Sequence, residues 1–156
     1  MSNISTLILL YVITILIVSY FIGNINPAII ISRKIKNIDI RAFNSKNAGA
    51  SNTLMTLGFK WALVVAFVDV FKGFIVVFTL KSIYPESNIF HVLAGLSVII
   101  GHIYPIIFGF KGGKGTATFF GLMLGINPMI GGIFILIFAA SLFIFKYVTI
   151  ATFIVV

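Results

Sequence analysis

Long apolar runs, parted by short polar interruptions, make up most of this chain. They occupy residues 4–22 (extending weakly to Ile31), 61–80, 89–110, 116–125, 129–145 and 147–156. Asp69 and Lys72 interrupt the second run, and Asn127-Pro128 separates the fourth from the fifth. A helix needs about 20 residues to cross the hydrocarbon of a bilayer. The first three runs reach that length. The stretch 116–145 predicts either one long span broken at Pro128 or a short span followed by a fuller one. The last run is too short to span. None of the runs shows the polar–apolar alternation of a transmembrane barrel. The pattern therefore predicts an all-α, polytopic transmembrane helix bundle of about five to six helical segments.

Composition supports a lipid solvent. Hydrophobic residues make up 60% and charged residues 9% of the 156, with a mean hydropathy of +1.20. Soluble domains carry about a quarter charged residues, so too little polar surface is left here to cover a core in water. The length suits one domain, spanning 1–156. The absence of cysteine excludes disulfides and thiolate metal sites. No Lys or Arg precedes the first run, which removes the basic start of a signal peptide.

The net charge of +8 invites a nucleic-acid reading, but its distribution favours another. Arg33, Lys34, Lys36, Arg41, Lys46 and Lys60 cluster with one acid, Asp39; Lys111, Lys114 and Lys146 follow in later connections, while 81–88 carries only Lys81 and Glu86. Basic and nearly neutral connections alternate, as expected of loops sorted by the positive-inside rule. The expectation is a multi-pass cell-membrane protein in contact with the lipid bilayer and not with nucleic acid. Its N-terminus and the Asn127-Pro128 turn would lie outside. Its loops at 33–60, 111–115 and 146 would lie in the cytoplasm.

Two of the basic loops carry candidate chemistry. Residues 38–58 gather small residues, hydroxyls, amides and cations; Ser45, Asn47, Ser51 and Asn52 could turn toward an anion together with backbone N–H groups. A polar turn with a helix cap at Ser51 or Asn52 is an equal alternative. Phe110-Lys111-Gly112-Gly113-Lys114-Gly115-Thr116 places three glycines and two lysines just before a helix. That arrangement lets backbone and charge approach a phosphate. It is not a Walker A loop, since Gly115 and not Ser or Thr follows Lys114. A flexible basic turn at the membrane edge explains it less well.

Other templates are missing. Neither His91 nor His102 has an Asp five residues later, and there is no HExxH helix or Gly-x-Ser-x-Gly elbow. No metal site and no cofactor are expected. Asp69 and Lys72 share a helix face at i,i+3 and read as a structural charge pair near the cytoplasmic edge.

Five ordered blocks resemble the PlsY family of membrane acyl phosphate:glycerol-3-phosphate acyltransferases, from Gly23 to about Thr152. Ser45-Lys46-Asn47-Ala48-Gly49-Ala50-Ser51-Asn52, continuing to Leu57-Gly58, is similar to the family's Ser-Gly-Asn-x-Gly-Ala-Thr-Asn-x-x-Arg-x-Leu-Gly. Gly101-His102-Ile103-Tyr104-Pro105 and Phe110 through Thr118 match its second motif at every fixed position. Asp69 through Gly73 fits its Asp-x-x-Lys-Gly, and Lys146 through Thr152 resembles its Arg-Tyr-Val-Ser-Leu-Ala-Ser with threonines at 149 and 152.

The resemblance implies that acyl phosphate donates an acyl chain to the sn-1 hydroxyl of glycerol 3-phosphate, giving lysophosphatidic acid. It implies a phosphate and substrate site at Ser45, Asn47, Gly49, Asn52, Lys111, Gly112, Gly113, Lys114, Gly115 and Thr152. An acyl phosphate is already activated, so positioning and charge stabilisation suffice without a nucleophilic residue. The family's motif arginine falls at Met55, with Lys46 or Arg41 as candidate replacements, and its C-terminal Arg-His-x-x-Asn-Ile is absent. A truncated or divergent member, lacking the C-terminal helix and third motif, is the expectation. The rival is a non-catalytic membrane protein, such as a small anion-transporter subunit or an interaction partner.

Overall fold

The structure, a computed structural model, describes residues 2–155, with side chains for 5–148 and 150–154. Met1 and Val156, the ends of the expected domain, and the side chain of Thr149 lie outside that set. The described residues form α1 (Ser2–Asn24), α2 (Pro27–Lys36), α3 (Ala50–Leu57), α4 (Phe59–Ile83), α5 (Asn88–Ile103), α6 (Thr116–Ile126), α7 (Pro128–Phe145) and α8 (Val148–Val155). Two 3₁₀ turns, Ile40–Ala42 and Ile106–Phe108, lie in the loops. There are more helices than the five to six expected because α2, α3 and α8 are short pieces at the bundle's basic end.

Breaks fall where local chemistry places them. The first apolar run does not continue unbroken to Ile31. Asn26 accepts from Ile29 N, with Pro27 at the first helical position, and α2 starts afresh. The third run leaves the helix after Ile103, ahead of Pro105, whose ring disfavours helical backbone before it. At the 116–145 stretch the two-helix alternative holds. Asn127 accepts from Met129 N and Ile130 N, and Pro128 opens α7.

Four segments are long and apolar enough to cross a membrane: Ser5–Lys36, Phe59–Ile83, Asn88–Phe108 and Pro128–Phe145. The 11-residue α6 is shorter and packs against α4. Lipid supplies no hydrophobic drive between helices, so close packing of small residues brings them together. A Cβ on Gly23 would lie 2.9 Å from Gly101 Cα, where α1 crosses α5. Gly121 leaves room in the same way for the carbonyl of Val70, where α6 crosses α4. The outer surface bears Phe67, Ile89, Leu136 and Phe143, exposed by 68%, 77%, 69% and 86%, a degree of apolar exposure suited to lipid.

The two ends of the bundle differ. At one, the loops 37–49 and 104–115 meet. At the other, Tyr11 and Tyr84 share a hydrogen bond of 2.7 Å, and Lys81 Nζ donates to Ile126 O at 2.7 Å, closing the C-terminus of α6.

Candidate active site

The first loop is pinned from within. Asn52 is completely buried, and its amide N–H groups lie within hydrogen-bond distance of the carbonyls of Ile40 (2.9 Å), Phe43 (3.1 Å) and Asn47 (2.9 Å). Its amide N–H groups therefore hold the loop's fold, and Asn52 is not among the residues that line the cavity described below. Asp39 accepts from the Arg41 backbone N and Nε at 3.0 and 2.9 Å, from Arg41 Nη2 at 2.7 Å and from Arg33 Nη2 at 3.0 Å. The Arg41 guanidinium thereby holds the Asp39 carboxyl well below the usual carboxylate range, with the Arg33 bond adding to it.

Arg41 also reaches across to the second loop. Its Nη1 donates to Phe108 O at 2.7 Å and to Lys111 O at 2.9 Å. One residue so joins both basic loops, and its donors are committed to that joint.

The second loop lies on the C-terminal end of α5. Gly112 N donates to Ile103 O at 3.0 Å, and Gly113 N to His102 O at 3.1 Å. No side chain fits at Gly113: a Cβ there would strike the His102 ring and lie 2.7 Å from Ala48 O. Gly115, at φ +83°, adopts the left-handed conformation that starts α6.

Between α3, α4, α6, α7 and α8 lies a cavity of about 420 Å³. Its polar part is lined by Asn47, Gly49, Ser51, Asp69, His102, Lys114, Gly115, Thr116 and Thr152. Its apolar part runs along Leu54, Phe59, Leu63, Phe120, Ile135, Phe138, Leu142 and Val148. The N-termini of α3 and α6 both open onto it, through Gly49-Ala50-Ser51 and Gly115-Thr116-Ala117. Two helix N-termini beside a lysine make a strongly anion-favouring corner.

Of the expected binding residues, Asn47, Gly49, Lys114, Gly115 and Thr152 line this cavity. Ser45 and Lys111 stand exposed on the loops and are not among its lining residues, while Gly112 and Gly113 form the loop's seat on α5. Met55 is 55% exposed and is not among the lining residues either. Ser51, a candidate anion ligand of the first loop, also lines the cavity, and Thr116 and His102 join it without having been singled out as binders. Thr116 was legible as the first residue of a helix after a glycine loop. His102 required knowing that α5 ends against that loop.

The charge pair is present and larger than expected. Asp69 Oδ1 and Lys72 Nζ are 2.8 Å apart, with side chains only 2% and 5% exposed. His102 completes the cluster, its Nδ1 2.7 Å from Lys72 Nζ. Asp69 lies ten residues into α4, roughly 15 Å along its axis. The pair is thus deep in the bundle and not at its edge.

A family model described as glycerol-3-phosphate acyltransferase matches residues 13–156. The glycerol-3-phosphate acyltransferase of Finegoldia magna is 40% identical over 143 residues, 92% of this chain and 71% of that protein. That of Mycoplasma mycoides subsp. mycoides is 42% identical over 144 residues, 87% of this chain and 55% of that protein. The chain thus spans between about half and seven tenths of these relatives' length. A crystal structure of PlsY, an integral membrane glycerol 3-phosphate acyltransferase, in its glycerol 3-phosphate form superposes with a TM-score of 0.86. It is 32% identical, and the match covers 91% of this chain and 70% of that one. The lysophosphatidic acid form gives a TM-score of 0.80 at 33% identity, with the same coverage.

Proposed function

The chain belongs to the glycerol-3-phosphate acyltransferase family, and we propose that it transfers an acyl group from acyl phosphate to the sn-1 hydroxyl of glycerol 3-phosphate. The observation that carries this reading is the two-part cavity. Its polar corner suits phosphate and its apolar limb suits an acyl chain. The hydroxyl oxygen attacks the acyl carbonyl carbon, an ester C–O bond forms, and the bond from that carbon to the phosphate oxygen breaks. The leaving phosphate takes the hydroxyl proton, so no base on the protein is required. The corner's work is to hold two anionic groups in attack geometry and to balance charge on the departing phosphate.

In this proposal Lys114, Gly115, Thr116 and the N-terminus of α3 bind phosphate, and Asn47 and Thr152 orient the glycerol. Ser45, Lys111, Gly112 and Gly113 act through the shape and charge of the loops. The basic end faces the cytoplasm and the N-terminus lies outside. The test is an assay of membranes that contain the intact protein, supplied with acyl phosphate and labelled glycerol 3-phosphate. Labelled lysophosphatidic acid is expected. Membranes that make none, with the protein folded and inserted, would leave the non-catalytic reading.

A further inference from the structure

The buried cluster beneath the glycine–lysine loop fixes the protonation of a histidine. Lys72 Nζ lies 2.7 Å from His102 Nδ1, 2.8 Å from Ile25 O, 2.8 Å from Asp69 Oδ1 and 3.2 Å from Gly23 O. An ammonium has three protons to give and no lone pair, and hydrogen-bond geometry directs them to His102 Nδ1, Ile25 O and Gly23 O, while the Asp69 carboxylate stands in ion-pair contact. The Asp69 carboxylate beside Nζ favours the charged ammonium, so the shared proton stays on Lys72. With Asp69 ionised, the enclosed set is then neutral overall. Nδ1 can only accept. If Nδ1–H instead donated to Asp69 Oδ1, 3.3 Å away, a second hydrogen would crowd the 2.7 Å gap to the ammonium. The one proton of the neutral ring therefore sits on Nε2.

The Nε2 edge is turned to the site. A Cβ built on Gly113 would strike Nε2 itself, and the ring lines the cavity alongside Lys114. We propose that His102, held by Lys72 as the Nε2–H tautomer, is a neutral hydrogen-bond donor to the phosphate bound at the glycine–lysine loop. This rests on the reading above that a phosphate ester occupies the polar corner. The charged groups facing the ring are Asp69 and Lys72 from α4 and Lys114 from the loop, while the junction of α1 and α2 contributes the carbonyls of Gly23 and Ile25. The role differs from that of a histidine base, which must cycle through its charged form.

The experiment is nitrogen-15 NMR of the intact protein labelled at histidine, in lipid nanodiscs, with His91→Asn used to assign the second signal. The expected spectrum has a bare Nδ1 and a protonated Nε2 for His102. Saturating inorganic phosphate or glycerol 3-phosphate should shift Nε2. In the transfer assay, His102→Gln retains an N–H near the Nε2 position and should raise KM for glycerol 3-phosphate no more than about threefold. His102→Ala should raise it at least about tenfold. A protonated Nδ1, an Nε2 indifferent to both phosphates, or a glutamine variant no better than alanine overturns the proposal. A phosphate-induced Nε2 shift in a protein without acyl transfer upholds the donor role and sinks the acyltransferase reading instead.

Discussion

Lys114 follows two glycines, precedes the start of α6 and lines the polar corner. A charge there, beside two helix N-termini, acts on phosphate together with their dipoles. Lys114→Ala is expected to lower kcat/KM for glycerol 3-phosphate at least tenfold, about 1.4 kcal/mol. Lys34→Ala, an exposed change on the same basic end, should cost less than threefold, and equal losses would mean that only net charge matters. Asn52 and Met55 differ for one physical reason. Motif position says which residues lie close in sequence, but the turn of α3 decides which face inward. Asn52 points into the loop and satisfies its carbonyls, whereas Met55, three residues on, is turned outward. The side chain at 55 is therefore not part of the described corner, and Arg41 donates across the joint between the two loops.

The apolar runs gave the long helices because lipid leaves the backbone few other ways to satisfy its hydrogen bonds. Their ends followed from legible chemistry: Asn26-Pro27, Asn127-Pro128 and Pro105. What the runs did not reveal was which helices touch and how the loops lock, because both depend on contacts between residues far apart in sequence. Arg41 is such a lock, bonded to Phe108 O and Lys111 O and held in place by its fork on Asp39. The Asp39 carboxyl is held below its unfolded value, so its contribution is complete above the unfolded pKa, about 4. That contribution is lost only as pH falls through the lowered folded value. The stability that the Asp39 fork adds, read as the difference in Tm between the protein and Asp39→Asn in detergent, should consequently stay flat down to about pH 5. Arg41→Lys, which keeps charge but loses the planar fork, should raise KM a few-fold at every pH and speed proteolysis of 37–49. The α4–α6 crossing makes a second case. Gly121→Ala pushes a methyl into Val70 O and should destabilise by about 1–3 kcal/mol, read as a lower Tm in detergent. Gly132→Ala, with open space around it in α7, should be neutral or stabilising by up to about 1 kcal/mol.

At the scale of the whole molecule, the two ends carry different chemistry, and that difference predicts how the protein sits in its membrane. The joined loops and the cavity's polar corner share one end with Arg33, Lys34, Lys36, Arg41, Lys46, Lys60, Lys111, Lys114 and Lys146. The other end offers Lys81 and Glu86. Carrying the first set across a membrane would cost far more than carrying the second, so the basic end should remain on the side of synthesis, the cytoplasm. Soluble glycerol 3-phosphate would then meet the polar corner from the cytoplasm, while an acyl chain could enter the apolar limb from within the bilayer. The chain has no native cysteine, so single cysteines report position without background. Ala42→Cys and Lys46→Cys, both exposed on the first loop, should react with a membrane-impermeant maleimide only after the cells are opened. Glu86→Cys, exposed in the connection between α4 and α5, should react in intact cells. Gly113 is unsuitable as a reporter, because any side chain there would collide with His102. Labelling of Lys46→Cys and Glu86→Cys from the same side would refute the alternation of ends. Labelling of each from the side opposite to that stated would keep the bundle and invert it, leaving the phosphate corner facing away from the cytoplasm.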